Sequence, residues 1–236
     1  MFASRLYFAA TSLFVAIGWA AAADVPLQPF HADYTVSRNG KEMGKATLDL
    51  RNAGNDWEFL SQTHGTAGMA AMLGVDVQEK STFKWNANKP ECLTYSYSQK
   101  ALKSRMTSIT CDWNAKSANV DDNGKSANVA LAAPAMDRHL VALALMVDLK
   151  AGVSALNYPV IEKDKVSDQR YVQSGHETVS LGATNVDAVK VSRDRGADSK
   201  RQTTYWFAPQ RGWMPVQIEQ IEKNGETITM RLATAK

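Results

Sequence analysis

Hydrophobic and polar positions alternate in short runs along most of this chain, with Gly, Asn, Asp and Pro between them, which predicts strands rather than helices. Leu27 to Leu50 reads as two strands around Asn39-Gly40, a dipeptide suited to the positive φ angles of a two-residue hairpin turn. Asn224-Gly225 repeats the device near the end, setting Lys223 opposite Glu226 and Ile221 opposite Ile228. Between these hairpins, strand-like composition falls at 57–62, 75–85, 92–99, 106–113, 158–161, 170–173, 186–192, 203–207 and 216–221. Parallel strands would need a crossover between each pair, so this density of short strands implies antiparallel sheet. The polar segment Ser117 to Asn128 reads as a loose loop or edge.

One segment breaks the alternation. Asp137 to Ala151 holds Leu140, Val141, Leu143, Ala144, Leu145, Met146, Val147 and Leu149, with Asp137 placed to cap it and Gly152 beyond it. A helix apolar around most of its girth must be buried, most simply against the concave face of the sheet. A second, shorter helix is expected over Thr66 to Leu73. The fold class that follows is mainly β: a single curved antiparallel sheet or half-barrel packed around one long apolar helix, with a short second helix.

The first residues carry a different pattern. Arg5, an apolar run from Leu6 to Trp19 and Ala20 to Ala23 before Asp24 form a cleavable export signal over residues 1–23. The run is shorter than the roughly 20 residues of a membrane-spanning helix, and no Cys follows the small residues to be acylated. The expectation is a periplasmic protein that is not a lipoprotein, with no stable transmembrane anchor and one β-rich domain over 24–236. Without Arg5 the 27 basic residues become 26 against 24 acidic ones, too balanced for a nucleic-acid partner.

In an oxidising compartment Cys92 and Cys111 are expected to pair. If the hairpin turns at Ala101-Leu102 the two face each other directly, and a disulfide would pin its register. Two reduced, buried thiols are the alternative.

Most catalytic signatures are missing: there is no G-x-S-x-G, no phosphate-binding glycine pattern and no H-E-x-x-H. His176 and Glu177 are adjacent and would point to opposite faces of a strand. His139 reads as a hydrogen-bonded helix residue, while His31 and His64 lack supporting neighbours. Acidic residues such as Asp121-Asp122 and Glu162, Asp164 and Asp168 read as a solvated face. No enzyme, metal or cofactor is expected.

Large apolar side chains stand above this background. Trp57, Phe59, Phe83, Trp85, Tyr95, Trp113 and Trp206 on strands, with Leu143 and Met146 on the helix, would either fill a core or line an apolar groove. Met69 and Met72 would then make an adaptable lid, since methionine conforms to irregular apolar shapes.

Several separated pieces share one order: Ala32-Asp33-Tyr34 leading to Gly40 and Gly44, Asp112-Trp113, Asp137, Gly175-His176-Glu177, Gly182, Ala188 to Arg193, Trp206 with Ala208-Pro209, and Pro215. In that order the chain from about Pro29 resembles an exported bacterial family, the domain of unknown function numbered 3108. The resemblance implies a curved antiparallel sheet embracing helices, like half-barrels that carry lipoproteins or lipids across the periplasm. It implies no catalytic residues, and the Cys pair is not part of it. The function expected is a non-enzymatic binder of a lipid, acyl chain or lipoprotein. An envelope scaffold with a fully packed core is the alternative.

Overall fold

Asn39 and Gly40 both take positive φ, 49° and 77°, and set Arg38 opposite Lys41, so the opening hairpin forms as its sequence dictates. From there the computed structural model, which describes residues 25–236, follows a single antiparallel sheet. Its strands are β1 (Phe30–Arg38), β2 (Lys41–Ala53), β3 (Asp56–Gly65), β4 (Asp76–Asn86), β5 (Lys89–Lys100), β6 (Arg105–Asp112) and β7 (Ser117–Asp122). They continue with β8 (Lys125–Ala130), β9 (Leu156–Ile161), β10 (Val166–Leu181), β11 (Thr184–Asp194), β12 (Gln202–Ala208), β13 (Met214–Ile221) and β14 (Thr227–Ala235). The export-signal expectation lies outside the described residues.

The strand order is β8-β7-β6-β5-β4-β3-β2-β1-β14-β13-β12-β11-β10-β9. Each strand therefore lies beside its successor except β8, since β8 and β9 stand at the two ends of the order, and β1 and β14 join the two halves. The sheet curls until its ends almost meet. Met136, in the connection after β8, exchanges backbone hydrogen bonds with β9 (Met136 N–H to Pro159 O, 3.0 Å; Ile161 N–H to Met136 O, 2.9 Å). One residue earlier, Ala135 O accepts from Cys92 N–H of β5 at 3.2 Å. This connection spans the gap and makes a nearly closed barrel, while β8 keeps a free edge.

Inside lies α2 (Val141–Lys150), packed against β5, β9 and β13. Val141 to Leu149 are all buried, as a helix without a polar face requires. The long helix expected over Asp137 to Ala151 is instead three turns. The Asp137 carboxylate accepts from the N–H groups of His139 and Leu140, 2.9 and 3.2 Å, and so caps a tight turn rather than the helix itself. At the other end Gly152 takes φ 72°, Gly152 N–H bonds Leu149 O and Val153 N–H bonds Asp148 O, the paired bonds that stop a helix at a left-handed residue. The short helix α1 (Gly68–Met72) forms where expected.

Two registers and one loop differ from expectation. At the closing hairpin Ile221 faces Thr227, one residue short, because Lys223, Asn224 and Gly225 make a three-residue turn closed by Gly225 N–H to Glu222 O. Ser117 to Asn128, expected as a loose loop or edge, is the β7–β8 hairpin, and β8 forms an edge of the sheet. The hairpin's signal was Asn123-Gly124, both at positive φ, with Asp122 facing Lys125.

The expected disulfide is absent: Cys92 and Cys111 are free thiols. Thr94 faces Thr110, a register one residue beyond that expected, which by itself would set Cys92 opposite Asp112 and turn the thiols to opposite faces. A bulge intervenes, for Thr82 faces Thr94 while Phe83 faces Cys92, leaving Leu93 unpaired. That extra residue returns Cys92 to the interior, where it meets Cys111. The neighbouring Cys111 thiol, burial and Asp137 together push the Cys92 thiol well above its ordinary range. In the native protein an alkylating reagent should modify half-buried Cys111 first and leave Cys92 protected until unfolding, read by mass spectrometry of the peptides.

Candidate functional site

Most of the expected apolar groove is core. Phe59, Phe83, Tyr95, Leu143 and Met146 are at most 3 % exposed, Trp57 is buried, and Trp85 packs edge-on against both Trp57 and Phe83. Trp113 is half-buried and donates from its indole nitrogen to Cys92 O at 2.8 Å. Trp206 lies in the other half of the barrel, donating to Glu177 Oε2 at 2.8 Å beneath the Lys190 ammonium. Its neighbours Tyr205 and Phe207 stack on each other on the opposite face. Met69 and Met72 project into solvent from α1. No lid over a groove results.

The concave face does stay open beyond α2. There the inner residues of β5 to β7 turn from apolar to polar, and with Arg138, Ile161 and the start of the β9–β10 connection they surround a cleft of about 270 Å³. Tyr95, Tyr97, Ile109, Val120 and Ile161 supply its apolar wall. Arg105, Arg138 and Lys163 bring positive charge, Asp122 and Glu162 negative charge.

Arg138 organises the site. Its Nε donates to Glu79 Oε1 and to Tyr95 Oη, both at 2.8 Å, and its guanidinium lies 4.6 Å from the Tyr97 ring centroid. Tyr95 O–H donates to Glu79 Oε1 at 2.5 Å. Burial pushes the Glu79 carboxyl up, but the charges of His139 and Arg138 and the hydrogen bonds from Tyr95 and Arg138 outweigh it and hold Glu79 below its ordinary range. One edge of the guanidinium is thus tied down while the side chain as a whole remains half exposed to the cleft. Across the cleft Lys163 pairs with Asp122 at 2.5 Å, and that hydrogen bond holds the Asp122 carboxyl low. Thr107 Oγ1 donates to the same carboxylate at 3.1 Å. Arg105 has no ion-pair partner among the described residues.

Behind this cleft sits a buried polar knot. Ser81 Oγ donates to Asp137 Oδ1 at 2.9 Å, His139 Nδ1 lies 3.2 Å from the same hydroxyl, and the imidazole stacks on Phe59 at 4.2 Å. The residue types are those of a hydrolytic triad, yet Ser81 is fully buried and bonded to the carboxylate instead of facing a substrate. Asp137 Oδ2 and His139 Nε2 have no partner. Burial raises Asp137 to about 7 and lowers His139 to about 4.

The remaining histidines are scattered at the surface, each against a carboxylate: His31 with Asp49 at 2.6 Å, His64 with Asp76 at 2.8 Å and His176 with Asp187 at 2.8 Å. His176 and Glu177 do point apart, Glu177 turning to Lys190 and Trp206. Among the described residues no three His, Cys, Asp or Glu side chains converge as metal ligands.

Of the cleft residues, the sequence places Tyr95 at an apolar groove and Asp122 and Glu162 on a solvated face; both acids instead line the cleft, and Glu162 accepts from Gln169 and Arg193. Arg138 and Tyr97 carried one available signal, a basic residue beside the capping Asp137 and an aromatic two positions from Tyr95 on the same strand face.

A nearly closed antiparallel barrel around an internal helix, with a polar and aromatic cleft at one end, defines a β-barrel-like protein with a preformed concave site. The sequence profile of the family described as "Protein of unknown function (DUF3108)" matches residues 33–233, and the chain belongs to that family. No curated protein matches the chain.

Proposed function

We propose that this is a non-enzymatic periplasmic binding protein, exported by its leader and not lipid-anchored, which holds the polar end of a lipid-like, acyl or lipoprotein ligand in the cleft. The observation that carries this reading is Arg138, fixed along one edge by Glu79 and Tyr95 and stacked over Tyr97, beside the unpaired Arg105. A pre-set guanidinium offers an anionic head group charge-assisted hydrogen bonds without first having to be ordered. Tyr97, Ile109, Val120 and Ile161 then take the first apolar atoms of the ligand. A cleft of about 270 Å³ suits a head group and a short length of chain. The interior beyond is filled by α2, so the rest of the ligand stays outside the barrel.

The exported protein should retain a ligand in native mass spectrometry, or bind an environment-sensitive fluorescent fatty acid. Arg105→Gln should weaken probe binding about 10-fold or more while leaving the melting temperature unchanged, because Arg105 is exposed and unpaired. Absence of both a retained ligand and probe binding would remove this reading.

The filled interior supports a second reading, an envelope scaffold that holds a protein partner. Strand β8 presents one backbone edge to solvent, available for strand addition. Crosslinking in the intact envelope should then recover one specific partner through β8, and a variant with Pro at Asn128 should lose it.

A further inference from the structure

Five of the largest exposed apolar side chains share one rim of the barrel. Met69, Met72, Leu73, Leu102 and Met106 are 63, 72, 41, 81 and 65 % exposed. The first three lie on the α1 connection between β3 and β4, and the other two at the turn and start of β6. These connections are neighbours, because Asp76 at the start of β4 faces Lys100 at the end of β5. Two strand spacings, about 10 Å, separate them.

This rim is built, not loose. Thr66 N–H and Ala67 N–H donate to Met43 O, Gly65 N–H to Val75 O, and Val75 N–H to Ala70 O. Gly65 sits so close under α1 that a Cβ there would lie 2.6 Å from the Ala70 backbone. Among the α1 residues only Ala70 is buried, so the helix is held by its backbone while its methionines face outward. Soluble proteins rarely hold so many large apolar side chains out together without a surface to meet.

The charges indicate which surface. Residues 99–106 carry Lys100, Lys103 and Arg105 and no acid, while 66–75 carry no charge at all. The acids nearest them are engaged elsewhere, Asp76 opposite Lys100 with His64 and Asp122 near Arg105 with Lys163. Apolar tips interleaved with cations match an anionic bilayer, whose head groups attract the cations while its acyl boundary takes the tips. A protein partner would have to supply both an apolar pocket and acidic residues; a bilayer presents the two everywhere.

We infer that this rim docks on the surface of an anionic phospholipid bilayer. Arg105 belongs to both the rim and the cleft, so docking would bring the cleft mouth to the membrane surface, where an amphipathic ligand is taken up or delivered.

Vesicle flotation with the exported protein, expressed from its full sequence, tests this. Phosphatidylglycerol vesicles should carry the protein, phosphatidylcholine vesicles far less, and high salt should weaken the association. Lys100→Glu with Lys103→Glu, and separately Met69→Ser, Met72→Ser and Leu73→Ser together, should each reduce binding about 10-fold or more, with thermal melting unchanged. Undiminished binding in both variants would place the contact elsewhere, the leader included, and overturn the inference. So would a lack of binding beyond an unrelated control, or self-association through the rim without vesicle binding. The docking surface and the cleft fail separately: the rim variants should still bind the soluble acyl probe, and loss of probe binding alone would leave docking intact.

Discussion

Leu143→Ala should destabilise the protein by about 2 to 5 kcal/mol, seen as a lower denaturant midpoint at unchanged slope. Leu143 is fully buried in the first turn of α2, and α2 touches strands from both halves of the sheet, β5 on one side and β9 and β13 on the other. Neither half can close over the space left by the truncated side chain without losing the other. Serine at exposed Met72, by contrast, should leave the midpoint unchanged. Equal effects at the two positions would mean that α2 does not carry the barrel.

Asp137→Asn should change how stability depends on pH. Asp137 is raised to about 7 in the folded protein from 3.8, so folding binds a proton there and stability falls as pH rises between those values. His139 is lowered to about 4 from 6.5, so unfolding binds a proton there and stability rises with pH between about 4 and 6.5. Over the shared window the two slopes oppose, and their contribution in the native protein is nearly flat. Asparagine keeps an oxygen for Ser81 and for the His139 and Leu140 N–H groups but cannot ionise. The variant should therefore show the His139 slope unmasked, gaining stability from pH 4 to 6.5, and above pH 7 should exceed the native protein by on the order of 2 to 4 kcal/mol. Glu79 and Arg138 face the same knot, and Cys92 approaches Asp137, so the comparison is variant against native at each pH. Parallel pH curves for the two proteins would show that Asp137 stays ionised throughout.

These two effects come from different kinds of information. The apolar girth of 140–149 and the alternation of the strands are local properties, and burial follows from them because apolar surface leaves water wherever it can. Hence the antiparallel sheet, the buried helix, the opening hairpin and the membership signalled by Ala32-Asp33-Tyr34 through Pro215 could all be read along the chain. The β7–β8 hairpin was equally local, written in Asn123-Gly124, and its polar composition masked it.

Registers were another matter. One bulge at Leu93 decided which way Cys92 points, and one extra turn residue shifted Ile221 from Ile228 to Thr227. A strand's side chains alternate with period two, so a single inserted residue reverses every later face, and composition does not mark it.

By itself, then, the sequence determined that short strands would pair antiparallel and enclose a greasy helix, since periodicity and hydrophobicity are carried residue by residue. Only the tertiary structure decided that the aromatics would fill the interior instead of lining a groove. It alone brought Arg138, Tyr97, Arg105 and Lys163, drawn from four separate stretches of chain, around one cleft. The physical reason is that a concave site is a property of strand curvature and closure, and those depend on contacts between residues far apart along the chain.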